Sequence, residues 1–76
     1  MTLAQVEQAR RRAESLTARQ REVMVLLSRG MSSAEIGAAL HRSRDTVENH
    51  IAAISRVLGV RGRTRIAVLG VRLGMV

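Results

Sequence analysis

The stretch Ser32-Ser33-Ala34-Glu35-Ile36-Gly37-Ala38-Ala39-Leu40-His41-Arg42-Ser43-Arg44-Asp45-Thr46-Val47-Glu48-Asn49-His50 writes two helices with almost nothing between them. Ser32 followed three residues later by Glu35 is the signature of a capping box, in which each side chain satisfies the other residue's backbone N–H. The helix it opens runs through Ile36 and Leu40 and ends near His41. Ser43 caps a second helix, predicted over Arg44 to Leu58, in which Val47, Ile51, Ile54 and Leu58 recur at core spacing. Residues three and four apart share a helix side, so Asp45, Glu48, Asn49 and Ala52 fall on the opposite, outward face. Gly37 is a poor helix former, costing about 1 kcal/mol against alanine. Its presence predicts that another helix approaches closely there.

Every other segment also reads as helix. Toward the N-terminus, Thr17 with Gln20 forms another capping box, opening a helix that runs to Arg29 with Val23, Leu26 and Leu27 inward. Gly30 is placed to take the left-handed position that closes it. Before that, Thr2 with Gln5 caps a helix from Leu3 to about Ser15, whose outer face carries Arg10, Arg11 and Arg12 as a solvated charge run. This first segment, residues 1–15, reads as a linker or accessory packing helix, and residues 16–76 as the domain proper. Toward the C-terminus, Gly59 closes the long helix and a last one spans about Arg63 to Leu73, carrying Ile66, Val68, Leu69 and Val71 before Gly74. Those apolar residues lie on more than one side, too many for a helix that only covers a small core, and imply a partner surface.

Composition narrows the partner. The 76 residues carry a formal charge of +7, from thirteen basic residues against six acids, and every basic residue is arginine. Such an excess favours a polyanion, either nucleic acid or an anionic membrane surface, and arginine forks bidentately onto phosphate or guanine. Phe, Tyr and Trp are absent, which removes the stacking platforms of single-strand and RNA binders. Duplex DNA is the polyanion that remains, and a short helix, tight turn and polar-faced longer helix is the arrangement that enters its major groove. Membrane attachment is not expected, since the longest uncharged apolar run, Ile66 to Val71, cannot span a bilayer. No signal-peptide core follows Met1, and the expected location is cytoplasmic.

Catalysis and metal chemistry find few ingredients. The chain has no Cys, Lys or Tyr, one Asp, no glycine-rich phosphate loop and no paired carboxylates. His41 and His50, nine residues apart and without Cys, do not make a metal site. No enzymatic activity, cofactor or metal is expected. His41 suits the end of its helix, where partial positive charge complements the dipole, and His50 sits beside the Val47/Ile51 stripe as a packing residue. Met24, Met31 and Met75 read as core or edge filler.

Beyond these residue-by-residue readings, the chain resembles the LuxR-type (GerE-like) helix-turn-helix domain, within which the FixJ and NarL response regulators fall. The resemblance rests on Leu16-Thr17-Ala18-Arg19-Gln20-Arg21-Glu22-Val23, on Gly30-Met31-Ser32-Ser33-Ala34-Glu35-Ile36, on Ser43 with Thr46-Val47-Glu48-Asn49-His50, and on Leu58-Gly59-Val60 with Arg63-Thr64. It covers about four-fifths of the chain, in the family's order and spacing. It implies an all-α, four-helix DNA-binding domain with an extra N-terminal helix. The helix-turn-helix motif would fall at about 31–50, with 44–58 as the recognition helix and the last helix, through Val68, Leu69 and Arg72, as the dimerisation surface. Base-edge contacts would fall on Asp45, Glu48, Asn49 and Ala52. Thr46 and His50 would lie near phosphates, with Ser32, Ser33 and arginines at the rim, among which Arg44, Arg56, Arg61 and Arg63 are the candidate phosphate clamps. Glu48 stands where many relatives have lysine, Arg42 where an apolar residue is usual, and Val57 where a basic one is common.

The expected function is therefore sequence-specific binding of duplex DNA by a homodimeric transcriptional regulator, with RNA polymerase a further candidate partner. Asn49 can pair bidentately with adenine and Glu48 can accept from a cytosine amino group; Asp45, in the first turn, also suits the helix dipole without DNA. Two other readings are compatible with the residues. One is the promoter-gripping region of sigma factors, against which the continuation Gly59-Val60-Arg61-Gly62-Arg63-Thr64 into a further helix argues. The other is a module that uses its apolar last helix to sequester another regulator.

Overall fold

The computed structural model describes residues 1–76 as five helices joined by short turns, with no strand. They are α1 (Leu3–Ala13), α2 (Ala18–Ser28), α3 (Ser33–Leu40), α4 (Arg44–Leu58) and α5 (Gly62–Arg72). The starts follow local chemistry. Thr2, Thr17 and Ser32 each form a complete capping box with the Gln or Glu three residues on, and Ser43 accepts from the backbone N–H of Thr46 at 3.1 Å. Only α5 starts without a side-chain cap. Gly30 and Gly59 take left-handed backbone with φ of 88° and 69°, which glycine adopts without steric cost.

The turn between α3 and α4 is tighter than the sequence suggests. His41 closes α3 in left-handed backbone (φ 56°), a conformation uncommon for a residue with a Cβ. The N–H of Arg42 then returns to the carbonyl of Gly37 at 2.9 Å. A Cβ on Gly37 would lie 2.6 Å from the Arg42 carbonyl oxygen. The close neighbour expected at Gly37 is thus the backbone of the turn itself rather than another helix.

One core serves all five helices. Val23, Met24, Ile36, Val47, Ile54 and Ile66 are fully buried, joined by Leu27, Ile51, Leu58 and Leu69 and, from the N-terminal side, by Ala9, Ala13 and Leu16. Met24 rather than Leu26 completes the inward face of α2, and Leu26 is half-buried. The principal packing pairs are α2 with α5, α3 with α4, and α2 with α4. At the first of these, a Cβ on Gly70 would lie 2.7 Å from Cβ of Ser28, so the crossing depends on glycine.

α1 is built into this packing. Val6, Ala9 and Ala13 are buried, and the small alanines let the helix lie close to α4 and α5. Its arginines are not uniformly solvated. Arg12 donates through Nη1 to the Leu58 carbonyl at 3.2 Å, satisfying one of the acceptors left open at the end of α4. Arg21 of α2 in turn donates to the Ala13 carbonyl at 2.9 Å. No helix is long and apolar enough to cross a membrane.

Candidate nucleic-acid interface

α4 owes its orientation to Val47, Ile51, Ile54 and Leu58, which are buried along one side. The opposite side presents Asp45, Asn49, Ala52 and Arg56, all exposed and spaced by four, three and four residues. They form a continuous strip, since that spacing returns to the same face of a helix. Asp45 takes part in none of the chain's three ion pairs, which join Arg10 to Glu7, Arg19 to Glu22 and Arg63 to Glu48. The strip therefore offers a carboxylate, an amide, a methyl group and a guanidinium outward, with α3 crossing behind it.

Glu48 does not belong to this strip. It is half-buried, and its Oε1 accepts from the Ser33 hydroxyl at 2.5 Å and lies 3.5 Å from Nη1 of Arg63. The helix crossing turns its carboxylate toward the N-terminal turns of α3 and α5. With its side chain 43% exposed, Glu48 stands at the edge of the outward face, beside the strip rather than on it. Ser33, expected at the rim, is buried. At 2% exposure, its hydroxyl is spent on Glu48 and is not at the surface for a phosphate.

Ser32 is exposed, and its oxygen accepts from the N–H of Glu35 at 3.1 Å while its own N–H donates to the Glu35 carboxylate at 2.9 Å. That N–H, and to a lesser degree the hydroxyl, holds the Glu35 carboxyl below its ordinary value. Thr46 is half-buried, with its hydroxyl 2.9 Å from that of Ser43 in the cap of α4, and His50 is also half-buried. Arg44, Arg56, Arg61 and Arg63 are exposed at the two ends of α4 and the start of α5. The structure thus brings Ser32, Arg44, Asp45, Asn49 and Ala52 to the accessible surface of the helix-turn-helix, while Arg61 and Arg63 stand on the neighbouring turn. No group of three or more His, Asp or Glu is arranged to hold a metal ion.

On α5, Leu69 is 1% exposed and belongs to the core, which removes it from the expected dimerisation surface. Val68 and Arg72 are exposed, and Val71, one of the apolar residues from which a partner surface was inferred, is 57% exposed beside Val68. The three-residue step from Val68 to Val71 is the signal that identifies the pair. Arg12 was missed as a packing residue because an arginine run on a helix face reads as solvated.

The sequence profile described as "Bacterial regulatory proteins, luxR family" matches residues 14–69, which takes in α2 to α4 and most of α5. Over 56 residues the chain is 45% identical to the putative HTH-type transcriptional regulator YhjB of Escherichia coli K12, covering 74% of this chain and 28% of that protein. It is 44% identical over 57 residues to the transcriptional activator protein BjaR1 of Bradyrhizobium diazoefficiens, covering 75% of this chain and 24% of that one. With the spore germination protein GerE of Bacillus subtilis it shares 42% identity over 59 residues, covering 78% of this chain and 80% of GerE. The matched region spans about a quarter of the first two relatives and most of the third. No solved structure matches the chain. The five-helix packing, the exposed strip on α4 and these likenesses agree, and the chain belongs to the luxR family of bacterial regulatory proteins, as a helix-turn-helix DNA-binding domain of transcriptional regulators.

Proposed function

We propose that this chain binds duplex DNA sequence-specifically as a homodimer. The observation that carries the reading is the strip Asp45-Asn49-Ala52-Arg56, exposed along a helix whose other side is locked into the core. A helix about 10–12 Å across with its side chains fits the major groove. In this reading Asn49 pairs with an adenine edge, Ala52 packs on a thymine methyl, and Asp45 accepts from a cytosine amino group or repels the wrong base. Arg44, Arg56, Arg61 and Arg63, with the Ser32 hydroxyl and the Thr46 and His50 side chains nearby, fix the domain on the phosphates. Val68, Val71 and Arg72 supply a surface of the kind that two copies share about a two-fold axis. Two recognition helices then reach major grooves about one helical turn, ~34 Å, apart.

Selection of bound sites from a random duplex library tests the proposal. The expected product is an inverted repeat with half-sites one turn apart. Recovery of no preferred sequence, or binding only in the presence of RNA polymerase, counts against it. A complex with another regulator that no longer shifts DNA would favour the sequestering module instead.

A further inference from the structure

Glu48 lies one residue from Asn49, and its carboxylate, on a side chain 43% exposed, is engaged by two groups of the protein. A single oxygen, Oε1, receives the Ser33 hydroxyl at 2.5 Å and stands 3.5 Å from Nη1 of Arg63. Ser33 is the first residue of α3 and Arg63 the second of α5, so one side chain of the recognition helix meets the opening turns of both neighbours. The positive end of the α3 dipole favours a negative charge there. Burial fixes the arrangement from the inside. A Ser33 hydroxyl that lost its acceptor would be left unpaired at 2% exposure. Arg63, by contrast, is 43% exposed at its side chain, and its guanidinium carries five donors. Most of them remain open beside the DNA-facing surface, but their charge is partly cancelled by Glu48.

We propose that Glu48 is a positioning residue of the DNA interface. Anchored by Ser33, it draws Arg63 toward the protein and restrains that arginine's attraction for phosphate. Phosphate contacts are blind to sequence, so a carboxylate that weakens one of them lowers binding to every duplex alike and leaves discrimination to the Asp45-Asn49-Ala52 strip. This inference rests on the DNA-binding reading above and assigns Glu48 a part distinct from base recognition.

The experiment is Glu48→Gln in the full chain, alone and with Arg63→Ala, titrated with a random duplex and with the selected site at 50 and 200 mM salt. Glutamine keeps a carbonyl oxygen for Ser33 and loses the charge that holds Arg63. The expected result is tighter binding to the random duplex with an unchanged base preference. If the released arginine neutralises one more phosphate per subunit, the loss of affinity across that salt range grows by roughly 3.5-fold per subunit. In the Arg63→Ala background the same substitution should change neither quantity. A loss of preference at one base pair, with random-duplex binding untouched, would make Glu48 a base reader and overturn the proposal. So would equal effects in both backgrounds, or a lowered melting temperature with the salt dependence unmoved. A wild-type chain that binds no duplex at all overturns the DNA reading and this inference together. A wild type that binds, with a silent Glu48→Gln, overturns this inference alone.

Discussion

At the scale of single residues, Asn49 and Glu48 show how adjacent positions on one helix acquire different work. Asn49 is exposed on the strip opposite the core, and a neutral amide mid-helix contributes little to the fold it sits on. Asn49→Ala is expected to leave the melting temperature nearly unchanged and to cost about 1 to 3 kcal/mol of discrimination at one base pair. Arg44→Ala should instead weaken all sequences alike. Binding curves on selected and random duplexes distinguish the two, and equal losses on both from Asn49→Ala would remove it as a reader. Glu35 gives a prediction in pH. Its carboxyl is held below the ordinary value of 4.5 by the Ser32 backbone N–H first and the Ser32 hydroxyl second. A lowered folded-state value means the unfolded chain takes up the proton more readily, so the contribution is complete above the ordinary value and is lost as pH falls through the lowered one. Wild type should therefore melt above Glu35→Gln at neutral pH, and the gap should close in acid below 4.5. A gap that persists unchanged there counts against the capping carboxylate as its source.

At the scale of elements, helix starts were legible and helix contacts were less so. Thr2, Thr17, Ser32 and Ser43 announce four helices because capping is a local bargain between residues three apart. The inward stripe of α4 was equally plain, since Val47, Ile51, Ile54 and Leu58 share a side whatever they pack on. What a face meets depends on residues distant in sequence. The Glu48 carboxylate is engaged because Ser33, fifteen positions earlier, lies beside it. Leu69 is buried in the core shared by all five helices, and the periodicity of α5 alone does not say which of its two apolar sides meets that core. Gly37 illustrates the middle case: the need for a small residue was readable, but the neighbour was the left-handed turn at His41, which no glycine announces. Because that neighbour is backbone, it cannot rotate away. Gly37→Val is expected to destabilise by about 1 to 3 kcal/mol as an overpacked site, lowering the melting temperature by roughly 4 to 8 °C per kcal/mol in a domain of this size. A thermal midpoint equal to wild type would show that the α3–α4 turn accommodates the side chain after all.

For the whole molecule, a charge of +7 by itself favours indiscriminate adhesion to DNA, and the proposed pairing of two copies is what would convert it to selectivity. A monomer that placed four or five arginines on phosphates would bind any duplex; pairing two copies makes the spacing of two half-sites part of the recognition. Val68 and Val71, 40% and 57% exposed on α5, are apolar residues that the monomer leaves to solvent, and neither is needed for the core that Ile66 and Leu69 complete. Val68→Asp with Val71→Asp should thus preserve the helical content and melting temperature of the monomer. On DNA the pair should abolish the advantage of a two-half-site duplex over a single half-site, and bring the salt dependence down with it. If each subunit neutralises three to five phosphates, the wild-type dimer loses on the order of a thousandfold or more in affinity between 50 and 200 mM salt, whereas the double variant should show about half the logarithmic slope. Sedimentation of the DNA complexes gives the stoichiometry independently. Two copies still bound cooperatively by the aspartate variant would place the contact between subunits somewhere other than α5.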